Sequence, residues 1–167
     1  MVDLVIGALT DAHDREEFCC DNEFIDNWCR KTCHKEHAAY KARVFAGTDN
    51  GHSKVLGLYS LTIRSLQPKV IKNIGYGRRD IPAVYFATLG VTNEAKGKGV
   101  GSALMYDAFK RTLEISEHVG VYCLWLTAVD AETCKFYEKL GFEYIDPDTK
   151  DNLDMYIPRA AIADAVA

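Results

Sequence analysis

The 167-residue chain lacks any apolar run approaching the ~20 residues that a membrane helix needs. Its first stretch, MVDLVIGALTDAHDREEF, has no basic residue ahead of the short apolar segment and carries acidic Asp3. It reads as a first strand, not an export signal, so the cytoplasm is the expected compartment. Internal repeats, low-complexity tracts and linkers are missing as well, and one domain over residues 1–167 is expected. There is no excess of positive charge. Lys and Arg number 20 against 24 Asp and Glu, and the net −4 argues against a general nucleic-acid binder. A composition 48% hydrophobic and 26% charged excludes disorder and collagen-like repeats. Six cysteines, Cys19, Cys20, Cys29, Cys33, Cys123 and Cys134, would form a disulfide framework only in an exported chain, and are expected here as thiols.

What the chain does have is charge asymmetry. Residues 30–43 carry Arg30, Lys31, Lys35, Lys41 and Arg43 against Glu36 alone, a local +4, so the remainder carries −8. Lys69, Lys72, Arg78 and Arg79 make a second basic stretch. Each stretch is either a solvated face or a contact for an anionic partner.

Periodicity gives the elements. Residues 2–9 read as a strand. Residues 22–38 read as an amphipathic helix, with Ile25, Trp28, Cys29, Thr32 and Cys33 on one buried stripe and Asp21 or Asn22 as its cap. Strands over 42–48 and 54–66 are joined through Asp49-Asn50-Gly51. Pro68 opens a short helical stretch that Gly75 stops. IPAVYFATLGV, residues 81–91, is nearly all apolar and reads as a strand buried on both faces. A glycine-rich loop over 93–101 leads into a helix over 101–117, with Leu104, Met105, Ala108 and Leu113 on its apolar side. A buried strand over 121–129, a short helix over 130–141 and the closing strands FEYI and LDMYI complete the chain. This order predicts an α/β (α+β) domain, a mixed sheet flanked by helices, with a ligand near the carboxyl end of strand 81–91.

The loop Lys96-Gly97-Lys98-Gly99-Val100-Gly101-Ser102 stands between that strand and the helix start. Helix N-termini present unpaired amides and partial positive charge, and glycines let backbone approach an anion closely. The pattern is neither a P-loop nor a dinucleotide fingerprint. A plain surface turn is the alternative reading.

The segment LGVTNEAKGKGVGSALM resembles the cofactor segment of the GNAT superfamily of acyl-CoA-dependent N-acetyltransferases, whose pattern is Gln/Arg-x-x-Gly-x-Gly/Ala. Lys96, Gly99 and Gly101 occupy its positions, with Lys96 replacing Gln or Arg. CKFYEKLGFEY resembles the family's Phe-Tyr-Glu-x-x-Gly-Phe segment. The resemblance implies a mostly antiparallel GNAT-like sheet and acetyl-CoA as cofactor. It implies that the amides of Gly97, Lys98, Gly99, Val100, Gly101 and Ser102 hold the diphosphate, with Lys96 beside them. Leu89 and Val91 would pair with the acetyl carbonyl and the amide-rich pantetheine arm, and the Leu89 amide would serve as oxyanion donor. Tyr137 matches the family's tyrosine acid, which protonates the departing thiolate. Asp130 is either a contact to pantetheine or a helix cap.

No carboxylate or histidine lies on VYFATLGV to act as base. That favours an amine that gives up its proton readily: a lysine of pKa ~10.4 is almost wholly protonated at pH 7, an α-amine has pKa ~8 or lower, and an aminoacyl ester lowers it again. A water chain to a distant carboxylate is the competing account.

The segments DREEFCCDNEFIDNWCRK, YKARVFAG, VLGLYSLT and PAVYFATLGV resemble the acetyltransferase toxins of bacterial toxin–antitoxin modules. This resemblance implies an aminoacyl-tRNA α-amine as substrate, a ribbon-helix-helix antitoxin as partner and a homodimer. Those toxins commonly carry Arg where this chain has Thr88. A small-molecule or peptide amine acetyltransferase and a non-catalytic acetyl-CoA-binding module are the alternatives.

No metal site is expected. Cys29, Cys33 and His37 recur at i, i+4 and i+8, but that spans ~12 Å of helix, too far for one ion. Asp146, Asp148, Asp151 and Asp154 lack the spacing of a calcium loop and read as a solvated turn. Trp28 and Trp125 are expected in the core.

Overall fold

The computed structural model describes residues 2–149 and 151–167. Seven strands follow the hydrogen-bonded order β1-β2-β3-β4-β5-β7-β6, where β1 is Leu4–Ala8, β2 Arg43–Asp49, β3 Val55–Leu66, β4 Ile81–Val91, β5 Cys123–Thr127, β6 Glu143–Tyr144 and β7 Asp154–Pro158. The β1–β2, β2–β3, β5–β7 and β6–β7 pairs are antiparallel, and β4 runs parallel to β5. This is the expected mixed, mostly antiparallel sheet. Helices are α1 Glu23–Asn27, α2 Cys33–Ala38, α3 Val100–Ser116, α4 Ala131–Lys139 and α5 Arg159–Val166. No helix among the described residues is long and apolar enough to cross a membrane.

Contacts group the residues into two compact units. The first holds the residues up to Thr62 together with Ala87–Ala108. Its core packs Phe18, Trp28, Cys29 and Cys33 against Val44, Ala46, Val55 and Leu58. The second holds Ile63–Phe86 with Phe109–Ala167. Leu66, Ile71, Ile81, Ala83 and Cys123 form a core there, with half-buried Trp125 packed against it.

The helix expected over 22–38 forms, but not as one regular spiral. Asn22 is its cap, with its Oδ1 accepting from the Ile25 amide at 3.1 Å. Trp28–Thr32 then make a π-helical turn, in which Cys33 N–H reaches back to Trp28 O. The extra residue in that turn shifts the face that follows, so Thr32 is exposed where the simple spacing put it inside. Asp26, ahead of that turn, is buried.

Three other expectations are corrected. The stretch 68–75 is a series of turns, because Lys69 and Asn73 adopt φ of 68° and 62°, which a right-handed helix cannot contain. Strand β4 is buried over Ile81 and Ala83–Phe86, but Ala87 is exposed and Thr88, Leu89 and Val91 are half-buried. On α3, Phe109 and Thr112 are buried with Leu104, Met105 and Ala108, while Leu113 is only half-buried. Helix α5 was not expected from the sequence. Its single fully buried anchor is Ile162, and the alanines around it are apolar on every side, so the sequence shows no helical period.

Candidate functional site

The first unit carries a strand end, a glycine turn and a helix start in immediate succession. Thr92 N–H donates to Leu56 O on β3 at 2.9 Å. Main-chain groups of an extended strand alternate between its two edges, so Leu89 and Val91 turn their amides to the edge of β4 away from β3. A 3₁₀ turn, Asn93–Ala95, follows and reverses the chain into Lys96.

Gly97 and Gly99 have φ of 74° and 80°, and nothing lies within 4 Å of where a Cβ would stand at either. Glycine is required there by backbone conformation and not by crowding. Gly97, Lys98, Gly99 and Ser102 are exposed and Gly101 is half-buried. The first bond of α3 runs from Ala103 N–H to Gly99 O at 3.0 Å. Residues of a helix's opening turn have no acceptor inside the helix, so amides gather beside these glycines with the positive end of the helix dipole. The two glycines leave that turn open enough for an anion such as a diphosphate to approach its amides.

Crowding sets the place of that helix start. A Cβ on Gly57 of β3 would stand 2.7 Å from Leu104 Cδ1, 3.0 Å from Val100 Cγ1 and 3.1 Å from Gly90 O. One on Gly90 would stand 2.8 Å from Ile25 Cγ2 and 3.0 Å from Phe18 Cζ. Bare backbone at both positions lets the start of α3, and α1 with the segment before it, close on the sheet.

Lys96 does not extend into the cradle. Its Nζ donates to Cys20 O at 2.7 Å. The same short segment is held at every carbonyl. Phe18 O accepts from Arg30 Nε at 2.8 Å, and Cys19 O from Asn93 N at 2.8 Å and Thr92 Oγ1 at 3.2 Å. The Cys20 amide donates to Asp26 Oδ1 at 2.8 Å, which accounts for the buried carboxylate. Burial, reinforced by the Asp26 hydrogen bond, pushes the Cys20 thiol up to about 11.

In the second unit, Asp130 caps α4. Its Oδ1 accepts from Thr133 N at 2.6 Å and Thr133 Oγ1 at 2.7 Å, and these bonds hold its carboxyl below the usual range. Tyr137 is buried, with its ring edge-to-face on Phe136 at 5.2 Å and on Phe142 at 5.6 Å. Burial, with the neighbouring Cys134, raises its phenol well above the ordinary value, so it keeps its proton throughout the neutral range. Gly141, at φ 100°, ends the helix, and Phe142 N–H returns to Tyr137 O at 3.1 Å.

A polar chain that no motif announces lies in the same unit. Tyr85 Oη is 3.1 Å from Thr127 Oγ1, which donates to Asp154 Oδ1 at 2.6 Å. The Arg64 guanidinium stands 3.9 Å from the centre of the Tyr85 ring. Tyr85 belongs to VYFATLGV, so that strand reaches a carboxylate through two hydroxyls although it carries none itself.

Among the described residues no three His, Cys, Asp or Glu side chains gather as a metal site. Cys29, Cys33, Cys123 and Cys134 are buried, and burial pushes the Cys123 thiol up to about 12. Asp146 accepts from Asp148 N and Thr149 Oγ1 within its own turn.

Comparison with known proteins adds four findings. Residues 62–144 match the model of the acetyltransferase (GNAT) domain. The chain is 27% identical over 161 residues to a "Probable toxin TacT" of Sinorhizobium fredii, covering 90% of this chain and 87% of that protein. It is 26% identical over 144 residues to a "tRNA-acetylating toxin" of Mycobacterium tuberculosis, covering 84% of each. Among solved structures, "AtaTR bound with AcCoA" superposes with a TM-score of 0.85 at 22% identity over 99% of each chain, so it has the same fold.

Proposed function

We propose that this chain, which carries an acetyltransferase (GNAT) domain, transfers acetyl from acetyl-CoA to the α-amine of an aminoacyl-tRNA. The observation that carries the cofactor half is the pair of left-handed glycines, Gly97 and Gly99, opening the amides of the first turn of α3. The substrate half is supported by the similarity to the tRNA-acetylating toxin over 84% of both chains.

When bound, acetyl-CoA supplies a thioester whose acetyl group passes to the amine while the sulfur departs as a thiol. Every other role falls to the chain. The amides of residues 97–102 receive the diphosphate, with exposed Lys98 adding positive charge. Val91 pairs with the pantetheine arm as a strand edge pairs with a peptide. Leu89 N–H donates to the acetyl carbonyl oxygen and strengthens as negative charge gathers there. Tyr137 holds the proton that the sulfur takes as its bond to carbon breaks. Asp130 acts through α4, whose first turn it caps. An aminoacyl ester amine needs little help in losing its own proton. By the same resemblance the chain works in the cytoplasm as a homodimer and is silenced by a ribbon-helix-helix antitoxin.

The test is thiol release from acetyl-CoA, corrected for hydrolysis, with charged tRNA, a lysine peptide and small primary amines compared at equal concentration. The expected order places aminoacyl-tRNA first. A lysine peptide acetylated as efficiently would overturn the α-amine assignment. Cofactor binding with no amine ever acetylated would establish a binding module instead.

A further inference from the structure

Tyr40 is an aromatic side chain held outside the protein in a backbone conformation that disfavours it. It is 79% exposed and has φ of 55°. It directly follows Ala39, the C-cap of α2, at the position where helices commonly end on glycine. A residue with a Cβ is strained in this left-handed region, and tyrosine lacks the short polar side chain that lets Asn or Asp adopt it. The turn is nevertheless closed by main-chain bonds. Tyr40 N donates to His37 O at 3.3 Å and Lys41 N to Glu36 O at 3.0 Å.

The ring is also backed by a cation. The Arg43 guanidinium lies 4.6 Å from its centroid. Arg43 Nη1 donates to His37 O at 3.0 Å, and Val44 N donates to His37 Nδ1 at 2.9 Å. The guanidinium is therefore fixed on one face of the ring, and the exposure belongs to the rest of it. Lys31, Lys35 and Lys41 on the same short stretch are exposed. The one carboxylate there, Glu36, accepts from Trp28 Nε1 at 2.8 Å. The result is a rigid aromatic face inside the local +4 of a chain whose remainder carries −8.

We propose that the Tyr40–Arg43 stack is a platform for one unpaired nucleotide of an RNA single strand, the base lying on the free face of Tyr40 and the flanking phosphates meeting Lys35 and Lys41. The chemistry selects this partner. A lysine-rich surface attracts phosphate, and an exposed π-face accepts any base that is not already stacked within a duplex. Arg43 behind the ring adds a cation–π contact that stiffens it. The inference rests on the aminoacyl-tRNA reading above and deepens it, since the amine of that substrate sits at a single-stranded end.

The measurement is equilibrium binding of the full-length protein to two probes at fixed salt. One is an uncharged tRNA and the other an eight-nucleotide single strand ending in CCA. Tyr40→Ala is expected to weaken both by roughly 5- to 100-fold, while Tyr40→Phe and Tyr40→Trp stay within about twofold of the parent. Tyr40→Gly is expected to weaken binding equally and yet raise the melting temperature, because it removes the left-handed strain. That pairing separates lost recognition from lost folding. Binding by Tyr40→Ala within twofold of the parent overturns the platform, and so does an effect confined to oligomeric state in sedimentation. The two readings fail separately. If the parent acetylates no aminoacyl-tRNA but its RNA binding still depends on Tyr40, only the proposed activity falls. If it acetylates tRNA and the Tyr40 variants bind alike, only the platform falls.

Discussion

The Lys96 ammonium lies 2.7 Å from the carbonyl oxygen of Cys20, a contact between residues 76 apart in the chain. It ties the turn that carries the glycine cradle to the segment preceding α1. Lys96→Met keeps the length of the side chain and removes its donor. The expected loss is about 1–2 kcal/mol, the cost of a partly buried carbonyl left without its charged partner. Because Lys96 is aimed at Cys20, acetyl-CoA affinity should fall less in Lys96→Met than in Lys98→Met. Chemical denaturation and calorimetric titration check the two halves.

Gly57 and Gly99 are both needed, for opposite reasons, and alanine distinguishes them. Gly57→Ala places a Cβ against Val100, Leu104 and the backbone of Gly90, an overpacking of about 1–3 kcal/mol that displaces the start of α3. Gly99→Ala meets open space and costs about 1 kcal/mol through its φ of 80°. Both should weaken acetyl-CoA binding, but only Gly57→Ala should perturb the core. The near-ultraviolet circular dichroism of the two variants reports that difference.

Tyr137→Phe removes one oxygen from a ring already packed on Phe136 and Phe142. Turnover is expected to fall roughly 10²- to 10⁴-fold if the phenol is the acid. Affinity for acetyl-CoA should be unchanged, and thermal stability nearly so. A variant that turns over normally would remove Tyr137 from the chemistry.

His37 gives a pH dependence with a defined sign. Its Nδ1 accepts from Val44 N–H, so the bond requires the neutral ring. Burial, then the nearby Arg43, holds its pKa below the ordinary ~6.5. A histidine depressed on folding binds its proton more readily when unfolded. Stability is therefore full above about pH 6.5 and is lost as pH falls towards the folded value. His37→Asn should flatten urea-denaturation midpoints across pH 5–7. An equally steep dependence in that variant would assign the proton elsewhere.

The legible parts of this molecule share one property. The glycine turn, the Asn22 and Asp130 caps, the β4 boundaries and the Tyr137 helix each depend on residues within a few positions of one another. The illegible parts depend on distant partners or on small departures from regular geometry. The π-turn at Trp28–Thr32 moved Thr32 outward by adding one residue to a helical turn, which a spacing rule for regular helices cannot register. The 68–75 stretch carried a proline start and a glycine stop, yet left-handed Lys69 and Asn73 turned it into a looped chain.

From its order of residues alone, this chain determined a mixed sheet, an amide cradle after β4 and a tyrosine on the helix that follows β5. Those rest on backbone preference and periodicity, which act locally. Only the tertiary structure decided that Lys96 serves Cys20, that Tyr85 reaches Asp154 through Thr127, and that Tyr40 is held outward with Arg43 behind it. Side-chain direction is set by whatever the fold brings alongside, and in the first two cases that lies tens of residues away.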